Sequence, residues 1–233
     1  YKYHAYIELL LKGQKQAPDI FVVRGDEYDI IIQTINNMHV SNEEELRQKA
    51  IITMMMDTAS RAKDLCAINH QTMGLNTQGH LIFQFAYAGT KTTKEAKIMN
   101  ARNPHNARQN SNYFELTKWA TNIIVPYWEL IKQKLPPKVG FFMSTHTKHK
   151  SFIAEGTIKK QIESFLARAD LHNRTPKITP HKLKAITVSK WRQDGMSRQE
   201  IAQRARTTID TLERYYITDI NTADRIPTNN CQD

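Results

Sequence analysis

Ile178-Thr179-Pro180-His181-Lys182-Leu183-Lys184 reads as the opening of a helix that carries chemistry on one side. Proline is preorganised for the first helical turn, so a helix is expected to begin there, run from His181 to Gln193 and stop at Gly195. His181 and Lys184 stand at i and i+3 and share a face, while Leu183, Ile186 and Trp191 supply the buried side. Downstream, Ser197 with Glu200 makes a capping box for a short second helix. Thr207 or Thr208 then opens a third, which holds Glu213-Arg214-Tyr215-Tyr216. In it Ile209, Leu212 and Tyr216 fall at i, i+3 and i+7, an apolar stripe from which Tyr215 points about 100° away. Tyr216 is therefore expected in the core, and Tyr215, beside Arg214, on the surface.

Upstream, Ser41 with Glu44 forms another capping box ahead of Leu46, Ile51, Ile52 and Met55, so a helix should begin near Asn42. Its end delivers Thr58-Ala59-Ser60-Arg61-Ala62-Lys63-Asp64-Leu65, with Arg61 and Asp64 one helical turn apart. Leu81–Phe85 and Ala96–Met99 read as strands around Gly89-Thr90-Lys91-Thr92-Thr93-Lys94, a basic hairpin. Residues 112–134 are apolar-rich with Pro126 inside, which predicts a kinked helix or two helices meeting there. Val139–Met143 reads as a short strand, and Ile158, Ile162, Phe165 and Leu166 give Thr157–Ala169 helical spacing.

The chain has 233 residues, 40% of them hydrophobic, enough for one main domain with its own core. Lys and Arg outnumber Asp and Glu by 33 to 23, for a formal charge of +10. That balance favours a polyanionic partner such as nucleic acid. Cys66 and Cys231 are the only cysteines, which excludes a cysteine zinc site and points to a reducing, intracellular setting without a disulfide framework. No apolar run approaches the roughly 18 residues that cross a bilayer. Gly89–Lys94 lacks the Gly-Lys-Ser/Thr ending of a phosphate-binding loop, so a nucleotide cofactor is disfavoured. His146, Lys148, His149 and Lys150 have no carboxylate or cysteine at ligand spacing and read as a loop facing nucleic acid rather than a metal site. Lys12–Asp19, with Gly13 and Pro18, reads as a linker from an amphipathic segment, Tyr6–Leu11, that belongs to a longer N-terminal part. From about Thr218 the chain is a polar tail interrupted by Pro227.

Taken in order, Thr58–Leu65, the basic hairpin, His181-x-x-Lys184 and Arg214-Tyr215 resemble the catalytic domain of the tyrosine recombinases, the phage-integrase family. Its patterns run roughly T-G-L-R-x-x-E-L, H-x-L-R, G-H and Y. The resemblance covers about Asp19 to Ile217 and implies a mainly α fold with a small antiparallel β-sheet, an α+β domain. The implied organisation is an N-terminal arm remnant over 1–18, the catalytic domain over 19–217 and a tail over 218–233. It also implies metal-independent cutting and rejoining of double-stranded DNA through a 3′-phosphotyrosine, without any cofactor, by a tetramer assembled on DNA during integration or excision of a mobile element.

On this resemblance Tyr215 is the nucleophile and Arg61 the first family arginine, its planar fork suited to gripping a phosphate, with Asp64 as its brace. Lys91, or alternatively Lys94, falls where the family has a lysine that protonates the leaving 5′-oxygen. His181 and Lys184 take the H-x-L-R positions, with lysine where the family carries arginine. Nine residues before Tyr215 stands Arg206, preceded by Ala205, in place of the family's Gly-His; its neighbour Arg204 is a candidate DNA contact, or the residue to which the assignment slips. These departures keep open a DNA-binding protein that retains the fold but has lost catalysis. A type IB topoisomerase-like activity is a third reading.

Overall fold

The apolar run Ala50-Ile51-Ile52-Thr53-Met54-Met55-Met56 lies at the centre of the molecule, in a helix covered on every side. The structure is a computed structural model that describes residues 23–66, 68, 70–84, 113–134, 140–143 and 153–215, with Gln84, Tyr113 and residues 213–215 described by backbone alone. The expected strand Ala96–Met99, the hairpin lysines Lys91 and Lys94, the loop His146–Lys150, Tyr216, and the segments 1–18 and 218–233 lie outside the described residues.

Helix α1 spans Glu27–Asn37, α2 Glu43–Thr58 and α3 Ala62–Leu65. After the short strands β1 (Gly74–Leu75), β2 (Leu81–Gln84) and β3 (Tyr113–Glu115) come α4 (Lys118–Lys134), α5 (Glu155–Arg168), α6 (Pro180–Gln193), α7 (Arg198–Arg204) and α8 (Ile209–Tyr215). The mainly α class with a small antiparallel sheet is the one expected. Helix α2 packs against α4, α5 and α6, and α1 rests on α2 and α6. A helix apolar all round must be enclosed in this way, because no face of it is soluble.

Most predicted helices are found, with local shifts. The cap of α2 is Asn42, whose side chain accepts from the Glu45 N–H (2.9 Å), while the Glu45 carboxylate accepts from the Ser41 N–H (2.9 Å). The cap thus sits one residue beyond the Ser41–Glu44 box. Helix α4 runs unbroken through Pro126, whose ring faces solvent, and buries Ile124, Tyr127, Trp128 and Ile131 on its other side. Part of the segment assigned to it, Tyr113–Glu115, is instead a strand. Helix α1 and strand β1 have no counterpart in the sequence reading. Gly140 and Met143 form isolated bridges around Phe141 and Phe142 rather than a strand. Both rings are buried against Tyr127, at 5.2 and 5.7 Å, and the turn is held by Phe141 N–H to the Ile68 carbonyl (2.7 Å) and Arg47 Nη1 to the Met143 carbonyl (2.8 Å).

The sheet order is β1-β2-β3, antiparallel throughout, with Phe83 opposite Phe114 and their rings stacked at 5.6 Å. A second, smaller apolar cluster joins Ala59 to Ala185, Val188, Trp191, Ile201, Ala205 and Leu212, so α6, α7 and α8 close over the end of α2. Ile209, expected in the same stripe as Leu212, is 39% exposed, because the one-turn offset carries it past the edge of that cluster.

Asp57 ties these parts together. Its buried carboxylate accepts from the Thr117 N–H (3.0 Å) and hydroxyl (2.7 Å) at the start of α4, and lies 3.6 Å from Arg204 at the end of α7. Arg204 also donates to the Asp57 carbonyl (3.1 Å). Burial pushes the carboxyl upward in pKa, while the Thr117 bonds and Arg204 pull it down. Asp57→Ala strands these donors and is expected to lower stability by about 2–4 kcal/mol, read as a lower urea midpoint at unchanged slope. A midpoint within about 0.5 kcal/mol of wild type would show that Thr117 and Arg204 find water or other acceptors.

Candidate active site

Three segments far apart in sequence meet beside the end of α2. The first leaves that helix through Ala59, which takes a left-handed conformation (φ 49°) with its methyl fully buried. The Thr58 hydroxyl donates to the Met54 carbonyl (2.6 Å), so the 2.6 Å contact with Ser60 Oγ has serine as its donor. Chain direction is thereby fixed for Arg61, which is extended and caps α3. Asp64 braces it through the main chain: its carboxylate accepts from the Arg61 N–H (3.3 Å), and its own N–H donates to the Arg61 carbonyl (2.9 Å).

The second segment is the start of α6. Thr179 caps it through a 3.4 Å bond from the Lys182 N–H, and Pro180 takes the first turn as expected. The loop before it is anchored by a buried ion pair between Arg174 and Glu27 and by Arg174 Nη1 to the Pro176 carbonyl (3.1 Å). His181 is exposed, whereas Lys184 is only 2% exposed, and its Nζ donates to the carbonyl of Ala205.

The third segment is the turn between α7 and α8. Ala205 ends α7, and Arg206 follows in the left-handed region (φ 50°). The Thr207 N–H reaches back to the Ala202 carbonyl (2.9 Å) and the Arg206 N–H to the Gln203 carbonyl (3.2 Å), a helix stop in which glycine usually holds the left-handed position. The Arg206 guanidinium lies 5.3 Å from the Phe114 ring of β3. Thr208 then caps α8 by accepting from the Thr211 N–H (3.1 Å), which resolves the Thr207–Thr208 choice.

Arg61, Asp64, His181, Lys184 and Arg206 are thus brought within electrostatic reach of one another. Burial first, then Arg61, drives the Lys184 amine down to about 7 from 10.5; Asp64 opposes the fall and Arg206 adds to it. Burial also lowers Arg206, with Asp64 opposing and Arg61 reinforcing. His181, exposed yet partly screened from water by its neighbours, is pushed below the ordinary histidine value by that desolvation first, then by Arg61 and Lys184, which favours the neutral imidazole with one donor and one acceptor. Arg61 and His181 also line an open cleft of about 760 Å³ whose rim carries Lys63, Lys159 and Lys177 as well as Glu155 and Glu163.

Tyr215 is the last residue of α8, and its side chain lies outside the described residues, as do Lys91, Lys94, His146, Lys148, His149 and Lys150. Arg204 is half-buried, 4.8 Å from the Trp191 ring and bonded to the Asp57 carbonyl. The sequence reading assigns Asp57, Ala59 and Phe114 no role of their own, although all three shape the site. Ala59 had a signal, since it stands where the T-G-L-R pattern carries glycine. Among the described residues no three or more His, Cys, Asp or Glu are placed to hold a metal ion, and no helix is long and apolar enough to cross a membrane.

No family model and no curated protein matches the sequence. Solved structures do match the fold. XerH site-specific recombinase bound to its difH substrate superposes with a TM-score of 0.61 at 14% identity, over 87% of this chain and 52% of XerH. XerA recombinase gives 0.61 at 15% identity over 96% of this chain and 68% of its own. The Tn1549 transposon integrase in complex with a circular intermediate DNA gives 0.57 at 11%, over 96% and 73%. The chain therefore spans about half of XerH and two thirds of XerA. At these identities the likeness is one of fold: the mainly α architecture with its three-stranded sheet is that of the tyrosine recombinase catalytic domain.

The depressed Lys184 amine sets a pH dependence. With a folded pKa of about 7 against 10.5, the unfolded chain binds the extra proton between those values, so stability climbs with pH through that window. Below about pH 7 both states carry the charge and its full burial cost is felt. Between pH 7 and 9 the wild type should gain roughly 1–3 kcal/mol relative to Lys184→Met, measured by urea unfolding. Parallel pH profiles would mean that the lysine titrates normally.

Proposed function

We propose that this chain is the catalytic domain of a site-specific tyrosine recombinase that cuts and rejoins double-stranded DNA. The observation that carries the reading is the gathering of Arg61, His181, Lys184 and Arg206 around Asp64, one short helix before Tyr215, in a fold shared with XerH and XerA. Cations drawn together at some cost in repulsion are what a phosphodiester needs as it gains negative charge at the trigonal-bipyramidal stage.

In this reading the Tyr215 oxygen attacks phosphorus, a P–O bond to tyrosine forms, and the bond to the 5′-oxygen breaks. Arg61 grips the non-bridging oxygens through its planar fork, and Arg206 and Lys184 donate to the same phosphate. Neutral His181 can take the tyrosine proton or donate to a phosphate oxygen. Lys91, or Lys94, protonates the leaving 5′-oxygen. Attack by a different 5′-hydroxyl reverses the step, regenerates tyrosine and leaves the strands exchanged, with no metal or nucleotide cofactor. The basic cleft beside Arg61 and the loop His146–Lys150, with Lys148 and His149, follow the DNA backbone, while Arg204 acts by anchoring α7. Integration or excision of a mobile element by a tetramer on DNA is the setting this chemistry fits, and one neighbour in fold is a transposon integrase in complex with a circular intermediate DNA.

A second reading, a DNA-binding protein without catalysis, is favoured by one observation: Lys184 replaces an arginine and commits a donor to the Ala205 carbonyl. Duplexes enriched from a random-sequence pool by binding to the protein, nicked near the centre and incubated in EDTA, separate the two. The recombinase reading expects a covalent adduct that survives denaturation, lost in Tyr215→Phe and retained in Tyr216→Phe. Arg61→Ala should slow adduct formation by about 10²–10³-fold with DNA affinity changed only a few-fold. Binding without any adduct would establish the second reading.

A further inference from the structure

The turn that carries Arg206 is strained and needs a reason to persist. A non-glycine residue in the left-handed region costs roughly 1–2 kcal/mol, and here it sits between two helices of seven residues, neither long enough to hold the geometry by itself. Ala205, immediately before it, is 2% exposed, and its carbonyl is among the last of α7, which have no partner within the helix. A buried carbonyl left unsatisfied would cost as much as the strain itself. The group that satisfies it is the Lys184 amine, reaching across from the second turn of α6.

Resting on the recombinase reading for the purpose of the turn, we infer that Lys184 is a positioning residue. By holding the Ala205 carbonyl it locks the left-handed turn at Arg206 and sets where α8, the helix of Tyr215, begins.

The surroundings make the latch a specific one. Ala205 and Leu212 pack with Ala185 and Val188 in one apolar cluster, so the turn and α8 rest on the same face of α6 from which Lys184 rises. Arg204 is fixed by Asp57 of α2 and lies over the Trp191 ring of α6, and Arg206 lies over the Phe114 ring of β3. The carbonyl between those arginines is therefore held from α6, while Arg204 is held from α2 and α6 and Arg206 from β3. An ammonium tip suits this task, since it can give one N–H to a carbonyl without requiring a second coplanar acceptor, as a guanidinium fork prefers. Arg61 and Arg206 repel the amine and Asp64 attracts it, with His181 on its own helix adding to the repulsion when protonated. The bond to Ala205 holds the tip in place against that balance.

Hydrogen exchange on the whole chain without DNA tests the latch separately from the chemistry. In Lys184→Met, which keeps the length and loses the donor, protection of the Arg206, Thr207 and Leu212 amides should fall about ten- to a hundredfold, with the α2 amides within about threefold of wild type. Lys184→Arg, which keeps a donor but on a planar fork, should lose less protection at those three amides than Lys184→Met does. In single-turnover assays on the selected nicked duplex, the Met variant should bind with near-native affinity yet form adduct at least about tenfold more slowly. Native protection of 206–212 in the Met variant would overturn the latch and leave Lys184 as a phosphate donor alone. A loss spread evenly through α2 would overturn it too, because the latch is local. Should the wild type form no adduct at all, the recombinase reading fails, and the exchange results still decide the latch.

Discussion

Like-charge repulsion inside a partly buried site is the constraint on which this molecule is organised. Arg61, Lys184 and Arg206 come from three separate segments and are gathered near the carboxylate of Asp64. At an effective dielectric of about 20, two unit charges some 6 Å apart repel by about 3 kcal/mol, and three such charges repel pairwise. The group stays together because each member is fixed by contacts outside the cluster of like charges: Arg61 by the Ala59 turn and the main-chain brace of Asp64, Lys184 by a buried helix, Arg206 by its turn and the Phe114 ring. The enclosed α2, with its Ile and Met side chains, provides the stability that such an arrangement draws on.

A site of this kind is complementary to an anion before any anion arrives. In the proposed reaction such cations would need no reorganisation as charge develops on a phosphate, which is how preorganised electrostatics lower a barrier. Burial first, and repulsion from Arg61 after it, depress the Lys184 amine, so the fold disfavours this positive charge. Among the described residues three non-glycine positions are left-handed: Asp170 follows α5, and the other two, Ala59 and Arg206, fall at the turns that aim Arg61 and Arg206. Strain concentrated at these turns is in keeping with sites that hold side chains against their local preference.

Much of this was legible in the sequence where the signal was local. The Pro180 start, the Ser197–Glu200 box and the apolar spacing of Thr157–Ala169 each encode a helix within a few residues, and each is found. Features made by distant pairing were not. Strands β1 and β3 are two and three residues long and exist only through β2; α1, by contrast, has a local signal, with Glu27, Ile31 and Ile35 buried at i, i+4 and i+8. The residues Arg61, Asp64, His181, Lys184 and Arg206 could be named from order and spacing, but not the burial of Lys184 or its bond to Ala205, which depend on how α7 folds back over α6. Asp57 was hidden for the same reason: at the end of an apolar run it reads as a helix-terminal surface carboxylate, and only the approach of Thr117 and Arg204 gives it a role.

The central claim is that Arg61, Lys184 and Arg206 are poised to receive one phosphate, and the Lys184 amine reports on that directly. Its pKa can be followed by nitrogen NMR of the lysine side chain, in the free protein and with the selected duplex bound at low salt. In the free protein the amine should titrate near 7, and a phosphate seated among the three cations should raise it above about 9. An amine that titrates alike in both states, with DNA bound, would contradict the account, because the phosphate would then lie elsewhere.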